Sequence, residues 1–169
     1  MRWQLRPADA ACAETVATWA TTGPEVALWC GHPDAPVPVA VIRDWASEPG
    51  VQAFVLYDDG RLTAYGELWV DDDEQEVELA RLIVDPAGRG RGVGRVLATL
   101  LAGRARTSYA DVFLRVHPDN VAALRAYAAA GFEPVPEVSA AEWNAGQPVP
   151  YRWLAHRDPP PALRTRSDC

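Results

Sequence analysis

Apolar and polar positions divide the chain into short elements of changing period. Residues 2–6 read as a strand that leads through Pro7, Ala8 and Asp9 into a helix carrying Val16 and Trp19. Residues 21–38 hold no period, and Gly23-Pro24, Gly31 and the prolines at 33, 36 and 38 predict irregular chain. A helical pattern resumes over residues 39–46. Three strands follow at 51–57, 62–70 and 76–84, separated by Asp58-Asp59-Gly60 and the polar run 71–75, which predicts a meander. Val93, Val96, Leu97, Leu100 and Leu101 then recur at i, i+3, i+4, i+7 and i+8, the stripe of an amphipathic helix.

Residues 111–116 read as a strand, and Pro118-Asp119-Asn120 starts a second helix stopped by Gly131. Residues 132–138 and 149–155 read as two closing strands, and no internal repeat is visible. A meander feeding a strand–helix–strand–helix unit predicts an α/β (α+β) fold. Its sheet is mixed and mostly antiparallel, of six to seven strands, with helices on both faces. One domain is expected over residues 1–156, and the tail from Arg157, with Pro159-Pro160-Pro161, predicts disorder.

Composition narrows the chemistry. No apolar run among the 169 residues reaches membrane-spanning length, so no membrane partner is expected. The N-terminal stretch lacks a long apolar core or cleavage signature, which predicts a cytoplasmic protein. Cys12, Cys30 and Cys169 are odd in number and widely spaced, a pattern that suits neither a disulfide framework nor a metal site. All 16 basic residues are arginine. The absence of lysine excludes a phosphate loop of the GK[ST] kind and a pyridoxal phosphate Schiff base. A net charge of −7 weighs against a nucleic-acid partner and mildly favours a cationic one.

Between the third meander strand and the amphipathic helix lies Arg89-Gly90-Arg91-Gly92-Val93-Gly94-Arg95. A glycine-rich turn opening a helix lets backbone N–H groups approach an anion, and the helix dipole favours negative charge there. The dinucleotide fingerprint G-x-G-x-x-G fits poorly, because Arg95 stands where its third glycine should and the turn comes late in the chain.

The stretch fits R-x-x-G-x-G and resembles the acyl-CoA signature of the GNAT superfamily of N-acetyltransferases. Leu82-Ile83-Val84-Asp85-Pro86 resembles that family's fourth strand. Asn120, Ala123, Tyr127, Gly131 and Phe132 resemble its second signature helix, and the order of elements agrees over residues 2–155. The resemblance implies that the fourth and fifth strands splay apart to admit the pantetheine arm of acetyl-CoA. It implies pairing of that arm with the backbone of Leu82, Ile83 and Val84. The N–H groups of Arg89, Gly90, Arg91, Gly92, Val93, Gly94 and Arg95 would hold the pyrophosphate, with charge added by the three arginines. Asn120, Ala123 and Tyr127 share one helical face, and the small Ala123 leaves room for a ligand chain.

For the chemistry, the resemblance implies transfer of an acetyl group to an amine in a ternary complex. Tyr127 matches the family's acid near the sulfur, and a phenol is protonated at neutral pH. The backbone N–H near Val84 is the inherited candidate for polarising the carbonyl. One branch of the family places a glutamate base eleven residues before the first signature residue, which here is Glu78. In another branch the matching position falls close to Arg115, which cannot accept a proton. That departure favours Glu78, or a base acting through water. Simple alternation puts Glu78, Ala80, Leu82 and Val84 on one strand face, so Glu78 looks toward the acyl end. Glu67 and Glu76 are its rivals, and His117 ranks lower as a loop residue.

The acidic turn Asp71-Asp72-Asp73-Glu74 reads most simply as a solvated hairpin tip. The sharper reading joins it to Glu67, Glu76 and Glu78 in a negative field for an ammonium substrate. Trp29, in the proline-rich segment, and Trp143, in the late loop, are candidates for an aromatic wall of the acceptor site, with Glu67 as a polar contact. The leading expectation is a small-molecule amine acceptor. A protein or peptide acceptor and a non-catalytic acyl-CoA-binding module are the alternatives. Many members of the family dimerise, which leaves a homodimer open.

Overall fold

In the computed structural model, residues 2–157 are described, while Met1 and residues 158–169, which hold Cys169 and all of the expected tail but Arg157, lie outside them. The strands are β1 (Trp3–Pro7), β2 (Val51–Asp58), β3 (Arg61–Asp71), β4 (Glu76–Val84), β5 (Asp111–Val116), β6 (Phe132–Pro134) and β7 (Arg152–His156). The helices are α1 (Cys12–Val16), α2 (Gly23–Trp29), α3 (Val39–Trp45), α4 (Val93–Arg106), α5 (Val121–Ala129) and α6 (Glu137–Asn144). They build one seven-stranded sheet in the order β1-β2-β3-β4-β5-β7-β6, parallel between β4 and β5 and antiparallel at its other pairings. The meander and the mixed sheet are therefore as expected. Asp59 (φ 46°) and Gly60 (φ 84°) supply the left-handed pair that a tight hairpin needs. No described helix is long and apolar enough to cross a membrane.

Each sheet face carries its own core, which is why both need helices. On one face α4 buries Val93, Leu97 and Leu101 against Leu56, Leu68, Leu79 and Leu114. Ala98, Ala102 and Ala105 complete the α4 stripe, whereas Leu100 is exposed, so the buried face is turned toward the alanines relative to the one the periodicity suggested. On the other face α1, α2 and α3 bring Val16, Val26, Ile42 and Trp45 onto Val55, Tyr65 and Ile83.

Several sequence expectations need correction. The region of residues 21–38 contains α2, whose start is a full capping box: Thr22 Oγ1 accepts the Glu25 N–H and the Glu25 carboxylate accepts the Thr22 N–H. The T-x-x-E signal was in the sequence, hidden by the surrounding prolines. The strand expected over 132–138 stops at Pro134, and α6 follows Pro136, so Trp143 sits on a helix and not in a loop. The strand expected from residue 149 begins at Arg152. Arg157, the first residue of the expected tail, is tied down: its N–H donates to Gly131 O at 3.2 Å and its Nε lies 2.8 Å from Glu133.

The correction that matters most for the site lies within β4. Ala80 pairs with Glu67 and Ile83 with Tyr65, so Arg81 and Leu82 together oppose the single residue Gly66. Arg81 takes φ 49° to make this bulge. Alternation slips by one residue there. Leu82 and Val84 join Val77 and Leu79 on the α4 face, while Ile83 packs on the opposite one. Glu78 and Ala80, alternating with Val77 and Leu79, therefore do not share the face of Leu82 and Val84.

Gly66 is required by this packing, since a Cβ there would lie 2.9 Å from Leu101 Cδ1 and 3.2 Å from Leu82 Cγ. Gly66→Ala is expected to cost about 1–3 kcal/mol, read as a lower urea midpoint, because the core must shift to admit the methyl. An unchanged midpoint would contradict the assigned packing.

Candidate active site

The parallel pairing of β4 with β5 covers only Glu76 to Leu79 against Asp111 to Leu114. Beyond it the strands part, and two cavities meet in the opening. The larger, about 660 Å³, lies between Leu82, Ile83 and Val84 on one side and Asn120, Ala123, Ala126 and Tyr127 on the other. The glycine-rich turn closes its end. The smaller, about 240 Å³, is bordered by Glu78, Arg81, Arg115, His117, Trp69 and Tyr151. Leu28, Trp29, Leu82, Asn120 and Tyr127 border both.

The larger cavity has the makings of an anion site at one end and an apolar trench along its length. Gly90 (φ 74°) and Gly92 (φ 81°) turn the chain into α4, and the first α-helical bond there runs from Val96 N–H to Gly92 O. The N–H groups of Val93, Gly94 and Arg95 precede it and have no carbonyl one turn back within the helix. Gly94 faces Ala126 and Val84, and a Cβ on it would lie 3.6 and 3.7 Å from their methyl carbons. The three arginines of the turn have different tasks. Arg89 is a brace: Nη2 donates to Trp19 O (2.6 Å), Nε to Val84 O (3.2 Å), and Nη1 lies 3.6 Å from Glu25. Arg89 and Arg95 border the cavity and Arg91 does not, while Arg125 of α5, which no motif singles out, borders it too.

Asn120 caps α5, its Oδ1 accepting the Ala123 N–H at 3.2 Å. That start places Tyr127 two turns on, at the junction of the cavities, with its ring edge-on to Phe132 at 6.3 Å. Burial pushes the Tyr127 phenol well above its ordinary value, so it stays protonated and able to donate.

In the smaller cavity Arg115 Nε lies 2.8 Å from Glu78 Oε1. Arg115 Nη1 also donates to Gln147 at 3.2 Å, and the guanidinium stacks near Trp153, Tyr151 and Trp69. Burial raises the Glu78 carboxyl above its ordinary value, and Arg115 recovers only part of that shift. His117 Nδ1 accepts the Asp119 N–H at 3.2 Å, which leaves the ring proton of neutral His117 on Nε2.

Of the acceptor candidates, Trp29 borders both cavities, and its Nε1–H donates to Arg81 O at 2.9 Å. Glu67 borders neither. It is 0% exposed and accepts from Tyr65 O–H, Trp69 Nε1–H and Arg81 Nη1–H. Trp143 also lies away from the cavities, packed on Phe113 and Trp153 and 40% exposed. The acidic residues divide: Glu67 faces Arg81 and Asp72 accepts from Tyr109 O–H, while burial and then the charges of Asp71, Glu74 and Asp111 raise the Glu76 carboxyl, and Glu76 in turn acts on Glu78, which faces Arg115. Glu76 borders neither cavity. Arg81, Trp69, Tyr151 and Arg125 were missed because nothing in their local spacing links them to a site.

Among curated proteins none matches the sequence. Among solved structures, the aminoglycoside acetyltransferase AAC(6')-Ib with coenzyme A and kanamycin superposes with TM-score 0.70 at 16% identity, covering 92% of this chain and 94% of that one. Spermidine N-acetyltransferase from Vibrio cholerae, with CoA and spermine, gives TM-score 0.68 at 18% identity over 79% and 82%. YncA, a putative acetyltransferase from Salmonella typhimurium with acetyl-CoA, gives 0.62 at 23% identity over 79% and 81%. These likenesses establish the fold. The acetyltransferase (GNAT) family matches residues 14–132, which takes in the glycine turn, the parted strands and Tyr127. The chain belongs to the GNAT family of acetyltransferases.

Proposed function

We propose that the protein moves an acetyl group from acetyl-CoA to a primary amine of a small molecule, by direct attack in a ternary complex. The observation that carries this reading is the meeting of two cavities at Tyr127, one shaped for a long anionic donor and one small and polar. The amides of Val93, Gly94 and Arg95, with Arg95 and Arg125, suit a pyrophosphate, and the trench along Leu82 to Val84 suits the pantetheine arm. Glu78 takes a proton from the incoming ammonium, directly or through water. As the amine nitrogen bonds to the acetyl carbon, the carbon–sulfur bond breaks and the thiolate takes the Tyr127 proton; the second proton lost by the nitrogen restores the Tyr127 phenol, leaving the amide, the coenzyme A thiol and a protonated Glu78 that releases its proton to water. Cys30 borders the smaller cavity, but burial pushes its thiol up, which disfavours it as a nucleophile.

The small acceptor volume favours a small molecule over a peptide groove, as do the solved relatives crystallised with kanamycin and spermine. The test is release of free thiol from acetyl-CoA across aminoglycosides, polyamines, amino acids and short peptides. Amine-dependent release supports the reading; none above background at any pH overturns it in favour of a binding module.

Glu78 carries a further expectation. Its base form is the carboxylate and burial raises its pKa, so kcat should climb with pH through a limb lying above the ordinary 4.5. Arg115 and Glu76 are the charged groups that set that limb. In Glu78→Gln the limb should vanish and kcat fall by about 100-fold. A Glu78→Gln profile matching the wild type would remove Glu78 from the chemistry.

A further inference from the structure

The smaller cavity holds charges of both signs, and their balance restricts what can enter. Arg81 is neutralised from behind, 3.1 Å from Glu67 and 3.5 Å from Glu48, with its guanidinium over Trp45 and Trp69 at 4.1 and 4.8 Å. Among the described residues, Arg115 has Glu78 as its carboxylate partner and the neutral Gln147 as its other polar contact. The Glu78 and Arg115 side chains are only 11% and 26% exposed, so each charge depends on the other.

A lone ammonium placed at Glu78 would leave two cations sharing one carboxylate in this shielded space. A polyamine or an amino sugar would add further cations. A molecule carrying both an ammonium and a carboxylate divides the resident pair instead. The ammonium goes to Glu78, the carboxylate goes to Arg115, every buried charge keeps a partner, and the net charge is unchanged. Guanidinium also matches carboxylate geometry with two parallel N–H donors. A volume of about 240 Å³ accommodates a molecule of single amino-acid size, and Trp29, Trp69 and Tyr151 offer an aromatic wall to its side chain.

We infer that the acceptor is a compact zwitterion of the α-amino-acid type, its amine received at Glu78 and its carboxylate at Arg115. This rests on the transferase reading of the site and names its substrate class. The resident pair then acts as a selector, because Arg115 holds Glu78 until a carboxylate takes its place. An acceptor lacking the carboxylate leaves the base engaged.

The test uses the full chain with acetyl-CoA and matched acceptors: phenylalanine, phenylalaninamide and phenethylamine, the same series from leucine, and spermidine and kanamycin. The free acids should exceed their amides and decarboxylated counterparts in kcat/KM by roughly 10- to 150-fold, the worth of a charged hydrogen-bonded contact. In Arg115→Gln that ratio should fall toward one through a raised KM for the acids. A binding readout on the wild type covers the case in which the variant fails to fold: 3-phenylpropionate should compete with the acceptor and 3-phenylpropanamide should not. Equal or better turnover of amides, decarboxylated amines or polycations overturns the carboxylate assignment while leaving the transferase reading intact. A ratio unchanged in Arg115→Gln, or no competition by 3-phenylpropionate, overturns that assignment equally. No turnover with any amine overturns the transferase reading, and the assignment falls with it.

Discussion

Replacing Tyr127 by phenylalanine is expected to lower kcat by about 100- to 10,000-fold while coenzyme A affinity stays within a few-fold. The substitution keeps the ring, and with it the edge-on contact to Phe132 and the wall of both cavities. It removes the O–H alone. Burial holds that phenol protonated far above neutral pH, so the wild-type group is a donor throughout the working range. A thiolate leaving without an acid must depart as the free anion, and the loss therefore falls on the transition state and not on binding. Steady-state kinetics with calorimetry of coenzyme A binding separates the two effects. A full rate in Tyr127→Phe would show that the ring only packs.

The largest expected effect on stability comes from a residue outside the cavities. Glu67→Ala should cost about 3–5 kcal/mol, because removing one member of a buried charged cluster leaves the rest uncompensated. Trp69 Nε1–H (2.7 Å), Tyr65 O–H and the Arg81 guanidinium would lose their shared acceptor, with Glu48 at 3.5 Å the remaining carboxylate near Arg81. For a chain of this length that corresponds to a melting temperature roughly 10 °C lower. Glu67→Gln keeps an acceptor oxygen and should cost less. The sign of the pH dependence follows from burial, which raises the Glu67 carboxyl above its ordinary 4.5. The stability this group contributes is present below that ordinary value and is lost as pH rises through the raised one. Glu67→Gln should flatten that slope. The cluster also positions the site, since Arg81 O accepts from Trp29, so Glu67→Ala is expected to raise the acceptor KM. A Glu67→Ala melting temperature equal to that of the wild type would contradict the assigned role of the cluster.

The larger cavity was legible because its parts are local. The glycines of the turn, the helix they open and the Asn120–Ala123–Tyr127 face are each written within one element or its junction, and periodicity alone says which residues share a side. Even there, nothing in the sequence indicates that Arg89, which borders the larger cavity, also braces the turn against Trp19 O and Val84 O. The smaller cavity was much less legible. Glu78 stands out by its offset from the turn, yet the strand face expected for it was wrong, because a bulge at Arg81 opposite Gly66 adds one residue to the count. Trp29 as a wall residue and Glu67 as a polar contact were expected at the same site, and only packing separates the buried node from the cavity wall. Trp143 was displaced by α6, a helix that the prolines around it concealed.

The sequence by itself determined the meander, the mixed sheet, the glycine-rich turn that opens α4 and the tyrosine two turns into the helix that follows β5. These depend on contacts between residues near each other along the chain, where turn chemistry and helical period operate without reference to the rest. Tertiary structure alone decided which carboxylates meet which arginines. Glu78 faces Arg115 and Glu67 faces Arg81 only once strands register against each other. Charges so far apart in sequence acquire partners, and their buried energies, from the pairing of the sheet and not from the chain that carries them.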